Sequence, residues 1–132
     1  MKHYFALVHK DADSSFGIQF PDIPGAFSAA DEVNDIVPNA IEALGLYAED
    51  TELPIASTHA DIMAREDVRA ELSEGAFLVS IPFIEDDSAV VRANISIERG
   101  VLKAVDECAK RRGLTRSAFI AQAARHEIEA GA

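Results

Sequence analysis

Tryptophan is absent, cysteine occurs once as Cys108, and no apolar run approaches the roughly 20 residues that a membrane-spanning helix needs. A single cysteine excludes an internal disulfide and leaves no partner for a cysteine-based zinc pair. The N-terminal stretch "MKHYFALVHKD" has an apolar run of strand length and no small-residue cleavage site, so it does not read as a signal peptide. The expected location is the cytoplasm. Basic residues are scarce through most of the chain. Residues 1–88 hold Lys2, Lys10, Arg65 and Arg69 against 18 Asp and Glu, a net −14. There is no Gly-rich phosphate loop with a lysine, no nucleophile elbow, no internal repeat and no low-complexity segment.

The 132 residues are 48% hydrophobic and 27% charged, a globular composition with room for one domain plus a small module. The total charge of −11 is unevenly divided: residues 89–132 carry eight basic and five acidic side chains, a net +3. Opposite charge on adjacent segments implies modules with different partners. The acidic one repels nucleic acid and suits a basic protein, while the basic one can touch phosphate. A solvated acidic surface kept for solubility is the plainer alternative.

Residues 3–10 and 16–21 read as strands joined in a hairpin, "DIPG" as a turn, and "AFSAA" as a short third strand. From about Asn34 the apolar spacing turns helical through Ile36, Val37, Ala40, Ile41, Leu44 and Tyr47. Asn34 is the expected cap, Asp35 lies in the first turn, and Pro38 requires the helix to start close before it. A weaker helix over 57–72, capped by Ser57 or Thr58, precedes a strand in 75–85 whose Pro82 argues for an edge. Then "VVRANISIERG" alternates: Val91, Ala93, Ile95 and Ile97 share one face, and Arg92, Asn94 and Ser96 the other. An amphipathic helix follows, with Val101, Leu102, Val105, Cys108 and Ala109 on one side and Gly113 at its end. Thr115 caps a last helix lined by Phe119, Ile120, Ala123 and Ile128.

The 43 residues from 90 to 132 bury little alone, and a lone amphipathic strand leaves both edges unpaired. Pairing with the same strand of a second chain meets both needs. The resulting two-stranded ribbon fits the DNA major groove, where Arg92, Asn94 and Ser96 can read base edges. Thr115, Arg116 and Ser117 open the last helix, whose free N–H groups can hold a backbone phosphate.

Residues 90–128, with "R-x-N-x-S", an amphipathic helix and "G-L-T-R-S-A-F-I", resemble a ribbon-helix-helix DNA-binding module. The preceding part is similar to the N-terminal domain of HicB-type antitoxins. The matching residues are Phe16, Phe20, Pro21, Asp22, Pro24 and Gly25, then Asn39, Ala40, Glu42, Ala43 and Leu44, then the strand "GAFLVSIPF". The resemblance implies an α+β fold: a small antiparallel sheet packed by helices, degenerate ribonuclease-H-like, followed by a dimerising ribbon-helix-helix. It implies a toxin-binding domain at 1–86, a linker at 87–89 and a DNA-binding domain at 90–132. The implied partners are a basic, mRNA-cleaving HicA-type toxin, operator DNA, and a second copy of the chain in a dimer, tetramer or higher assembly. Asp11, Asp13, Asp22, Asp31, Glu32 and Asp35 are the candidates to face the toxin. A stand-alone regulator with a different N-terminal ligand is an alternative.

A ribonuclease-H-like fold also raises metal-dependent nuclease chemistry, which needs carboxylates converging on Mg²⁺. The acidic residues here cluster at turns, and the inward positions of 3–10 and 16–20 are mostly apolar, so neither catalysis, a cofactor nor a metal is expected. His3 and His9 share a strand face but read as ordinary strand residues, His59 and His126 as isolated helix residues, and Cys108 as a small core residue.

Overall fold

A computed structural model describes residues 1–10, 14–85 and 89–131. The chain divides into two compact units, Met1–Glu85 and Asp86–Gly131. The sequence-derived boundary between 86 and 87 lies outside the described residues, as does Ala132.

In the first unit, β1 (Lys2–Lys10), β2 (Phe16–Phe20), β3 (Ile23–Ala30) and β4 (Phe77–Phe83) form one sheet in the order β3-β2-β1-β4. Every neighbouring pair is antiparallel. A 3₁₀ turn at Val33–Asp35 leads into α1 (Ile36–Asp50), and α2 (His59–Met63) and α3 (Glu66–Ser73) lie between α1 and β4. The protein is therefore α+β, built on a four-stranded antiparallel sheet.

The two-residue period of β1 separates two layers. Tyr4, Ala6 and Val8 join Phe16, Ile18, Phe20, Ile23, Ile81 and Phe83 in one core, which α1 closes with Ile36, Ala40 and Leu44. The odd positions of β1 face α2 and α3: the Phe5 ring lies 5.6 Å from that of His59, and His9 Nδ1 lies 3.2 Å from Glu71. Ile62 of α2 and Val68 of α3 are buried. The segment after α1 is tied to the sheet, since the Tyr4 hydroxyl donates to Pro54 O at 2.7 Å.

Three local expectations need correction. "DIPG" is not simply a turn. Ile23, Pro24 and Gly25 begin β3, and the β2–β3 register shifts between Gln19 and Phe20. The extra residues form a bulge on an edge strand, where a proline costs no ladder bond. Gly25 also lets Tyr47 approach: a Cβ there would stand 3.2 Å from Tyr47 Cε2. Asn34 does not cap α1, because it lies inside the 3₁₀ turn, and Asp35 takes the cap position without a side-chain bond. Pro38 is the third residue of α1, within the first turn where its missing N–H costs nothing. The single helix over 57–72 is two helices. Thr58 caps α2, accepting from Asp61 N at 3.1 Å, and Arg65 stands extended between α2 and α3. Residues 90–97, expected to pair with the same strand of a second chain, take no secondary structure within one chain.

The second unit contains α4 (Arg99–Arg111) and α5 (Arg116–Ala130). Gly113, at φ +68°, ends α4 in a left-handed cap. Leu114 N donates to Ala109 O at 2.8 Å and Gly113 N to Lys110 O at 3.2 Å, the paired bonds of a Schellman motif.

Candidate functional site

The second unit holds the predicted nucleic-acid residues. Val91, Ala93, Ile95 and Ile97 line a groove whose other wall is Leu102, Arg116, Ser117, Ile120, Ala121 and Ala124. The alternating sequence thus sorts as its period requires, with the odd positions turned to the helices. Arg92, Asn94 and Ser96 stay outside the groove and are exposed. The groove is open, however: Val91 is 82% and Ile95 60% exposed, and α5 has no buried residue. Ala109 is the one buried hydrophobic residue of this unit among the described residues. Cys108, expected in a core, is half-buried and accepts from Arg111 Nη2 at 3.1 Å.

At the start of α5 the Thr115 hydroxyl accepts from Ala118 N at 3.1 Å, satisfying one helix-terminal donor. Ser117 adds a hydroxyl in the first turn. Arg116 is held by two bonds to the Asp106 carboxylate, each 2.9 Å. The hydrogen bonds, reinforced by opposite charge, raise the Arg116 pKa and lower that of Asp106. Sequence reading missed Asp106. Its signal was available, an acid on the polar side of α4 ten residues before an arginine, but only the helix turn brings the two together.

In the first unit the acidic candidates separate. Asp22 is half-buried, and its two oxygens accept from Ser57 N at 2.8 Å and Ser57 Oγ at 2.6 Å. That carboxylate fastens the segment before α2 to the β2–β3 turn. Asp31, Glu32 and Asp35 are exposed around the entry to α1. Asp11 and Asp13 lie outside the described residues. His9 does not join His3; it meets Gln19 Nε2 at 3.0 Å and Glu71. Among the described residues no group of three His, Cys, Asp or Glu could hold a metal ion. No helix among them is long and apolar enough to cross a membrane.

Sequence reading also missed a shallow groove on the α3 side of the sheet. Leu7, Gln19 and Phe27 lie in register across β1, β2 and β3. With Pro21, Pro24, Arg65, Asp67, Val68 and Glu71 they line this groove. Arg65 is fully engaged, with Nη1 on Pro21 O at 2.8 Å and two bonds to Asp67 at 3.1 and 2.8 Å. A lone aromatic at Phe27, out of phase with the apolar Ala26 and Ala30, was the readable signal.

The fold and these surfaces define a binding protein: a closed sheet-and-helix unit joined to a basic helix pair with an open apolar face. A family model described as a HicB-like antitoxin of bacterial toxin–antitoxin systems matches residues 4–124. The crystal structure of the Burkholderia pseudomallei antitoxin HicB is 31% identical, with 94% of this chain and 96% of that one covered and a TM-score of 0.53. The crystal structure of antitoxin HicB3 is 28% identical, covers 96% and 98%, and has a TM-score of 0.52. Among proteins of curated function none matches. The chain belongs to the HicB-like antitoxin family. It is thus an antitoxin of a type II toxin–antitoxin system.

Proposed function

We propose that this antitoxin neutralises a basic HicA-type toxin through residues 1–86 and represses its own operon through residues 90–132, with 87–89 as linker. On this reading the first unit is a degenerate ribonuclease-H-like fold with no catalytic role. The second is a ribbon-helix-helix module completed by a second copy. The protein works in the cytoplasm, without cofactor or metal, as a dimer or as tandem dimers forming a tetramer or higher assembly. Its family, defined by toxin–antitoxin systems, supports a toxin as partner, and the −14 of residues 1–88 favours a basic one. Asp31, Glu32 and Asp35 are free to face it, whereas Asp22 is committed to Ser57.

The observation that carries the DNA assignment is the sorting of residues 91–97. Their apolar side chains line an uncovered groove while Arg92, Asn94 and Ser96 point elsewhere. Pairing this segment with its twin would satisfy its backbone, cover the groove and place six polar side chains on one ribbon face. Thr115, Ser117 and Arg116, the last on leaving its Asp106 partner, would then grip backbone phosphate at either side. Electrophoretic shift with the operator tests this. Arg92→Ala and Asn94→Ala should each weaken operator binding by about 1–3 kcal/mol while toxin binding persists. Unchanged operator affinity in both variants would remove the ribbon as reader.

A further inference from the structure

We infer that the groove between α3 and the β2–β3 half of the sheet receives a lysine or arginine side chain of the toxin. This rests on the toxin-neutralising reading above and adds the place and chemistry of contact.

The sheet is covered unevenly on its α2–α3 face. One cross-strand row shows the gradient: Leu7 is 2% exposed, Gln19 is half-buried, and Phe27, on the edge strand, is 66% exposed. Val68 of α3 is buried beside Leu7 in this groove, whereas Phe27 stays exposed. The floor of the gap is apolar, through Leu7, Phe20 and Val68, and its open side presents an aromatic ring.

Charge selects the occupant. The groove holds one cation, Arg65, already consumed by Asp67 and the Pro21 carbonyl. Glu71 is the carboxylate of the groove without a lysine or arginine partner among the described residues; its neighbour is His9. An apolar lining, an exposed aromatic side chain and a carboxylate in one groove fit a long cationic side chain. Its alkyl stem packs on the exposed Phe27, and its head reaches Glu71. The anionic surroundings of residues 1–88 draw in a cationic protein and repel phosphate.

The test is calorimetric titration of the full-length chain with purified HicA-type toxin at two salt concentrations. Phe27→Ala and Glu71→Gln alter half-buried or exposed side chains, and thermal melts should match wild type. Each should weaken toxin binding about tenfold or more, and Glu71→Gln should flatten the salt dependence. Glu42→Gln, on the exposed side of α1, should leave binding unchanged. Wild-type affinity in both groove variants would overturn the assignment, as would an equal loss in Glu42→Gln. So would a change in self-association by Phe27→Ala with toxin affinity intact, which would make the groove a contact between copies. A wild-type chain that binds no toxin would instead bring down the toxin-neutralising reading itself.

Discussion

The two units of this chain differ in whether they finish their own cores. Of the 18 buried hydrophobic residues among those described, 17 lie in the first unit and one, Ala109, in the second. Yet the second unit is not poor in apolar side chains. Val91, Ile95, Ile97, Val101 and Ile128 are all exposed. The first unit has two sheet faces and three helices to bury its alternating strands. Among the described residues the second has two helices and, in 90–97, a segment without secondary structure. A sequence pattern can thus specify an apolar face as clearly in a unit that leaves it open as in one that buries it.

That contrast can be broken from either side. The largest effect belongs to Ile95→Asp. A charge placed in the face that two copies would share costs several kcal/mol when buried, so assembly and operator binding should both be lost. Melting of the first unit should be untouched, as followed by sedimentation and near-UV circular dichroism. Leu44→Ala is the reverse case. Leu44 is fully buried between α1 and the sheet, and its truncation should cost about 2–5 kcal/mol of the first unit's stability, with operator affinity preserved. Urea unfolding separates the two.

Asp22→Ala should cost less, about 1.5–3 kcal/mol, because it removes hydrogen bonds to an ionised carboxylate from Ser57. Hydrogen exchange should show the segment before α2 opening first. The smallest effect belongs to the exposed Asp106–Arg116 pair. The Asp106 pKa is lowered by Arg116, so its contribution is present above the ordinary carboxylate pKa of about 3.9. It is lost as pH falls through the lowered value. The stability gap between wild type and Asp106→Asn should therefore be measurable at pH 7 and close in strong acid.

The same contrast explains what could be read from sequence. The strands of the first unit were legible because alternation and burial agree there: Tyr4, Ala6 and Val8 alternate and are buried within their own chain. Composition misled where a local signal served a tertiary purpose. Pro24 and Gly25 look like a turn but build a bulge that admits Tyr47. Residues 57–72 have helical spacing throughout, but Arg65 leaves the helix and bonds Pro21 and Asp67. The sorting of residues 91–97 was legible from period alone. The Asp106 clamp and the α3 groove left only partial signals, in the acid of α4 and in Phe27, since both depend on side chains brought together by turns between elements.

On the proposed reading, another copy completes the second unit, whereas the first is complete within one chain. Sedimentation equilibrium of the full chain, wild type against Ile95→Asp, tests it most directly. The expected result is an even multiple of the chain mass for wild type and a single chain mass for the variant, with the first unit folded in both. A wild-type protein that remains a single chain at all concentrations, or an Ile95→Asp variant that still assembles, would contradict it.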